Sequence, residues 1–203
     1  MIIVHREDIL RKGTFCDSPE LRQIEEDIAT GISKISWPDT SGGFYLDPNS
    51  RGKGRGEGNG VKPIKEAFIW YLTHAEWLDE RIVRSSDVAG TGPLDAVKET
   101  SQGLFAVEWE TGNISSSHRA MNKICLGVLR NELIGGTLVL PSEQLYPFLT
   151  DRIGNFRELV PYIPFWKSPP YKKGVISIVV VEQDGLREGT PRIPKGTDGR
   201  ALI

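Results

Sequence analysis

The sequence predicts an α/β fold, one sheet with helices on its faces. Three observations carry that reading. Apolar residues recur at helical spacing in the stretches that begin at Ser18, Pro63 and Ser116. Strand-like runs at 104–110 and 137–140 follow or separate them. The run 175–181, Val-Ile-Ser-Ile-Val-Val-Val, is apolar on both faces, as a central strand should be. Helices and strands therefore interleave, which is the pattern of a sheet covered by helices.

Each element has a local reason. Ser18 is a good N-cap and Pro19 suits the first helical position. Leu21, Ile24, Ile28, Ile32 and Ile35 follow at steps of three and four, and Trp37-Pro38 ends the helix. Residues 41–60 are glycine-rich and include Arg51-Gly52-Lys53-Gly54-Arg55-Gly56-Glu57-Gly58-Asn59-Gly60. That run lacks G-x-x-x-x-G-K-[ST], and no buried strand clearly feeds it into a helix. It reads as a flexible basic loop able to brush a DNA backbone rather than as a nucleotide cradle. Pro63 opens a second helix, with Ile64, Phe68, Tyr71 and Leu72 on its buried face, continuing to Trp77. Residues 83–93 hold Ser, Gly and Thr and read as a mobile loop.

Along 104–110, Phe105, Val107 and Trp109 share one face of a strand, and Ala106, Glu108 and Glu110 share the other. Residues 116–133 read as a helix with Met121, Ile124, Cys125, Val128 and Leu129 at helical spacing. Residues 137–140 are a short buried strand. Residues 142–153 look helical, with Pro147 forcing a kink or a later start. Asn155-Phe156-Arg157-Glu158 is a capping box for one more short helix. There is no internal repeat and no domain boundary, so residues 1–203 are expected to form one domain.

Composition narrows the classes. A chain of 203 residues is long enough for a domain with a real core. Its 22 glycines and 13 prolines predict long loops around a modest one. The formal charge of −2 gives no global basic field, so any nucleic-acid signal must be local. Cys16 and Cys125 are far apart and neither belongs to a CxxC pair, so neither a disulfide framework nor a thiolate zinc site is implied. The N-terminal residues lack the basic and apolar regions of a secretory signal. No run approaches the roughly 18 apolar residues of a membrane helix. A soluble, cytoplasmic protein with no membrane partner is the expectation.

The chemistry lies in carboxylates. Asp95 follows Pro93-Leu94, and Glu108 and Glu110 sit two apart on the strand face that also carries Ala106. That face should be half-buried. Two carboxylates on a strand interior are costly without a partner, and a divalent cation is the natural one. Hard oxygen ligands suit Mg²⁺. The spacing P-x-D, twelve residues, E-x-E reads as a variant of the nuclease pattern P-D…[D/E]-x-K, with Glu110 in the lysine position. A carboxylate there can act as general base or orient the attacking water. On pattern alone, a solvated edge strand remains open. A glycosidase pair also remains open, although acids at i and i+2 are close for that chemistry and no aromatic sugar platform adjoins them.

The strand leads straight into a helix N-terminus crowded with Asn113, Ser115 and Arg119. Asn can bond an adenine edge bidentately and Arg a guanine edge. Free N–H groups of the helix start favour phosphate. Ordinary capping by Ser115 or Ser116, with Arg119 solvated, is the alternative. By themselves, Asp151-Arg152 read as a surface ion pair.

Five blocks then point to a family. They are 107–123 (Val-Glu-Trp-Glu-Thr-Gly-Asn-Ile-Ser-Ser-Ser-His-Arg-Ala-Met-Asn-Lys), Asn59-Gly60-Val61-Lys62-Pro63-Ile64-Lys65-Glu66, Gly92-Pro93-Leu94-Asp95, Leu149-Thr150-Asp151-Arg152-Ile153-Gly154-Asn155-Phe156 and Ile193-Pro194-Lys195-Gly196-Thr197-Asp198-Gly199. With these blocks in this order, the sequence resembles the BamHI family of type II restriction endonucleases, from about Trp37 to the C-terminus. The resemblance implies a central mixed β-sheet flanked by helices, the restriction-endonuclease-like (PD-(D/E)xK) fold.

It further implies Asp95 and Glu108 as metal ligands and Glu110 as the general base. Glu80 is implied as a fourth acid and additional ligand, with Glu76 as the fallback. The cofactor is Mg²⁺, with Mn²⁺ as a substitute. Asn113, Ser115 and Arg119 would read the middle and inner base pairs, and Asp151 with Arg152 the outer G·C. Matching these positions implies the hexamer GGATCC in double-stranded DNA, cut to leave 5′ overhangs. Lys65 would hold a phosphate, or else be a solvated helix lysine. The resemblance also implies a homodimer and a companion DNA methyltransferase. The stripe from Met121 to Leu129 would serve both core and dimer. Two departures stand out: the family's basic C-terminal helix has no counterpart after Gly199, and the run 51–60 differs in composition. A DNA-binding protein without catalysis is the alternative from another class.

Overall fold

The structure is a computed structural model that describes residues 1–39, 41–52, 57–79, 92–150 and 153–195. Its elements run β1 (Ile2–Lys12), α1 (Pro19–Ser33), β2 (Tyr45–Leu46), α2 (Lys62–His74), β3 (Leu78–Asp79), β4 (Ala96–Thr100) and β5 (Gly103–Trp109). They continue with α3 (Ile114–Leu129), β6 (Leu133–Pro141), α4 (Phe156–Leu159), α5 (Ile163–Lys167), β7 (Gly174–Glu182) and β8 (Gly185–Leu186). Six strands form one mixed sheet in the order β1-β7-β6-β5-β4-β3. β5, β6 and β7 are parallel neighbours, and β1, β4 and β3 pair antiparallel. β2 and β8 make a small parallel pair.

The alternation of β5 splits the core as expected. Phe105, Val107 and Trp109 pack with α1 and α2 through Ile24, Ile28, Phe68 and Leu72. Ala106 packs on the opposite face with Met121, Ile124 and Val128 of α3 and with Trp166 of α5. Helices therefore cover both faces, so β5 is buried on both, not half-exposed. β6 is buried along its whole length and β7 along nearly all of its own, and both read as continuous apolar runs for that reason.

Several boundaries differ from the sequence expectation. α3 begins at Ile114, because the Asn113 side chain, rather than Ser115 or Ser116, caps it by accepting the Ser116 N–H at 3.1 Å. It ends at Leu129, not 133: Asn131 takes a positive φ of 59°, and Leu133 already belongs to β6. That strand is correspondingly longer than 137–140. Residues 142–153 are not a helix. The Ser142 hydroxyl accepts the N–H groups of Gln144 and Leu145, and only a 3₁₀ turn, Tyr146–Phe148, forms around Pro147. α2 stops at His74, short of Trp77, which is buried beyond it. The capping box at Asn155 forms: its side chain accepts the Arg157 N–H and donates to Glu158.

Asn59 ties three segments together. Its side chain donates to Ser50 Oγ and Phe148 O and accepts the Ile193 N–H, while its carbonyl accepts the Thr150 N–H. The flanking glycines allow this approach, since a Cβ at Gly60 would lie 1.9 Å from Pro194 O. Part of the basic run (53–56), most of the expected loop at 83–93 and the positions Asp151, Arg152 and 196–203 lie outside the described residues. Among the described residues no helix is long and apolar enough to cross a membrane.

Candidate active site

The acids meet where β4 and β5 run side by side. The register pairs Ala96 with Val107, so Asp95, just ahead of β4, lies beside the C-terminal half of β5. Asp95 Oδ2 accepts the Trp109 backbone N–H at 2.8 Å. Trp109 sits between Glu108 and Glu110, so this hydrogen bond sets Asp95 beside the strand segment that carries both glutamates. Parallel strands end here and α3 begins here, the position at which open α/β sheets carry their sites.

Each buried carboxylate already has a cation. Asp95 Oδ1 accepts from Lys65 Nζ of α2 at 2.7 Å. Glu108 Oε1 accepts from Lys123 Nζ of α3 at 2.5 Å, and the same ammonium donates to Pro93 O at 2.6 Å. Asp95 is 9% exposed, Glu108 3% and Lys123 8%. Burial, then the charge of Asp95, pushes the Glu108 carboxyl up to about 7 against the pull of Lys123. Burial and then Asp95 also raise Glu110, opposed by Lys65, the Gly112 N–H and Arg119. Burial works against the Lys65 ammonium, yet Asp95, helped by Glu108 and Glu110, holds its pKa above the ordinary lysine value.

A cavity of about 480 Å³ opens beside Asp95, lined in part by Lys62, Lys65, Trp70 and Asp79. Asp79 of β3 pairs in register with Ala96, next to Asp95. Glu76 is exposed at the end of α2 with φ 63° and does not line this cavity. Glu80 lies outside the described residues, as do Asp151 and Arg152. Gly154 packs against the start of α3, where its N–H donates to Gly112 O.

Asn113, Ser115 and Arg119 are exposed together at the α3 N-terminus, and the charge of Arg119 reaches Glu110. Met121, Ile124, Cys125 and Val128 of the stripe pack in the core, and of that set only Leu129 is exposed. His118 stacks edge-on against Tyr162, with ring centroids 4.3 Å apart.

Carboxylate oxygens suit a hard divalent ion in their chemistry. Among the described residues no three His, Cys, Asp or Glu side chains are already grouped to hold one. Lysine ammoniums hold Asp95 and Glu108 instead. Sequence reasoning missed Lys123 and Asp79. The first lies one helical turn beyond Arg119, a visible spacing, but its burial on Glu108 depends on tertiary contact.

A sheet of this order with P-x-D and E-x-E acids at one end defines a restriction-endonuclease-like protein. The fold is similar to the crystal structure of restriction endonuclease BglII with a DNA 16-mer, at TM-score 0.64 and 12% identity over 91% of this chain and 79% of that one. Residues 1–200 match the family described as restriction endonuclease BamHI. The chain is 45% identical to the type II restriction enzyme OkrAI of Oceanobacter kriegii over 91% of its length and 92% of that enzyme's. It is 33% identical to the type II restriction enzyme BamHI of Bacillus amyloliquefaciens, over 88% and 83% respectively. The chain belongs to the BamHI family of type II restriction endonucleases.

Proposed function

We propose that residues 1–203 form one endonuclease domain that, as a homodimer, hydrolyses double-stranded DNA at GGATCC and leaves 5′ overhangs with Mg²⁺, or Mn²⁺ in its place. The observation that carries this is the junction of Asp95, Glu108 and Glu110 with the exposed α3 face of Asn113, Ser115 and Arg119. Chemistry and base reading share one helix start. The names of the relatives support the reaction class.

Asp95 and Glu108 would hold the ion, with Glu80 as the further ligand. When bound, a divalent ion supplies charge neutralisation at the scissile phosphate and acidifies water. Glu110 takes a proton from the attacking water as its oxygen bonds to phosphorus. The bond to the 3′ oxygen breaks, and that oxygen leaves as a hydroxyl after protonation from solvent. Lys65 holds a phosphate oxygen once it is freed from Asp95. Asn113, Ser115 and Arg119 read the inner and middle base pairs, and Asp151 with Arg152 the outer G·C.

A palindrome calls for a two-fold protein. Val160, Tyr162 and Phe165 are exposed, with Tyr162 against His118 of α3, and offer the apolar surface for a second copy. A methyltransferase protecting host DNA, and a cytoplasmic location, follow from the same reading. A linear plasmid with one GGATCC should give two defined fragments with Mg²⁺ and none with EDTA. Intact DNA in both would end this reading; tight binding without turnover would favour a DNA-binding protein that lacks catalysis.

A further inference from the structure

We propose that Lys123 is the positioning residue through which the base-reading face of α3 controls Glu108, holding that carboxylate with an internal cation until DNA is seated. This rests on the nuclease reading above.

Ser115, Arg119 and Lys123 succeed one another at i, i+4 and i+8, so they form one row on α3, spaced about 6 Å apart. Ser115 and Arg119 are exposed, and the third member is 8% exposed. Its ammonium donates to Glu108 Oε1 at 2.5 Å and to Pro93 O at 2.6 Å. One side chain therefore clamps the reading helix, the β5 acid and the segment leading into Asp95. A buried ammonium and a buried carboxylate are each costly alone, so the two stay together in the free protein. While they do, the Glu108 oxygen facing Lys123 is engaged and a positive charge stands beside it. A divalent ion must then compete with that charge. α3 itself is fixed in the core by Met121 and Ile124, so what gives way when the Ser115–Arg119 row is seated on matching bases is the Lys123 side chain, whose ammonium leaves Glu108 and so relaxes the competition. Wrong bases leave the clamp closed.

The test compares wild type, Lys123→Gln and Lys123→Arg in three measurements. The first is the Mg²⁺ concentration that half-maximally raises the melting temperature of the DNA-free protein. The second is duplex binding in EDTA. The third is cleavage of GGATCC against sites with one altered base pair. Lys123→Gln should lower the Mg²⁺ midpoint about tenfold by removing a repelling charge. It should leave EDTA binding unchanged and raise cleavage of altered sites relative to GGATCC. Lys123→Arg, which keeps the charge, should behave as wild type. An unchanged or higher Mg²⁺ midpoint in Lys123→Gln, or an unchanged cleavage ratio, overturns the proposal. A merely structural role would depress cleavage of GGATCC and of altered sites in parallel, at an unchanged ratio, which also overturns it; a lower melting temperature by itself is expected from unpairing Glu108. If the Gln variant does not fold, Lys123→Met, which keeps the apolar stem, takes its place with the same expected Mg²⁺ midpoint. If wild type cuts no DNA with Mg²⁺, the nuclease reading fails, and the DNA-free Mg²⁺ midpoints still decide whether Lys123 competes for the ion.

Discussion

Asp95 accepts the backbone N–H of Trp109 at 2.8 Å, and so fastens the loop acid to the strand that carries Glu108 and Glu110. The bond is buried, and its acceptor is a carboxylate that also holds Lys65 at 2.7 Å. Asp95 is thus held at the β5 backbone by a main-chain contact, while Glu108 is held separately by Lys123.

Glu108→Ala should abolish cleavage while leaving metal-free binding of a GGATCC duplex within a few-fold of wild type. The substitution leaves the exposed face of Asn113, Ser115 and Arg119 intact. Gel-shift titration in EDTA beside a timed digest in Mg²⁺ checks both halves. Cleavage at the wild-type rate would remove Glu108 from the catalytic set.

Arg152→Ala should cost about 1–3 kcal/mol of discrimination at the outer base pair and little at the inner ones. Competition between GGATCC and duplexes altered at one position measures it. An unchanged ratio at the outer pair would take Arg152 out of the reading set.

If the proposed dimer forms through these side chains, Phe165→Glu should turn it into a monomer in sedimentation, because Phe165 is 67% exposed, as an apolar side chain seldom is without a partner, and Val160 and Tyr162 close by in the chain are exposed too. A wild-type protein that sediments as a monomer on the GGATCC duplex would refute the two-fold arrangement.

Asp184 gives a pH signature away from the site. It accepts from the Met1 ammonium at 2.6 Å and the Phe44 N–H at 2.7 Å. Burial pushes its carboxyl up, but these bonds outweigh burial and hold it below the ordinary aspartate value. A depressed folded pKa contributes stability that is present above the unfolded value and is lost as pH falls through the folded one. Asp184→Asn should therefore melt lower than wild type at pH 7, with the gap starting to close below about pH 4. A gap of constant size across that range would mean that charge is not its source.

Much of this arrangement is visible in the sequence, for physical reasons. β5 alternates cleanly because two cores take its two faces, and that alternation places Glu108 and Glu110 together. α1 shows its stripe because it has one buried side. β1 stayed hidden: its pairing with β7 slips between Ile3 and His5 and again between Asp8 and Leu10, which breaks the two-residue period. The stretch after Ser142 misled because its apolar residues, among them Leu145, Phe148 and Leu149, are buried as a helix's would be, yet Ser142 and Pro147 turn the backbone instead. Lys123 had the spacing of a solvated helix lysine, and only the approach of β5 makes it a partner of Glu108.

The central claim is that these acids and the α3 face act on one phosphodiester in one sequence. A digest of DNA of known sequence, with its ends read at nucleotide resolution, tests that most directly. Every end should fall within GGATCC, carry a 5′ overhang and vanish with EDTA. Ends scattered over unrelated sequences, or persisting without a divalent ion, would contradict it.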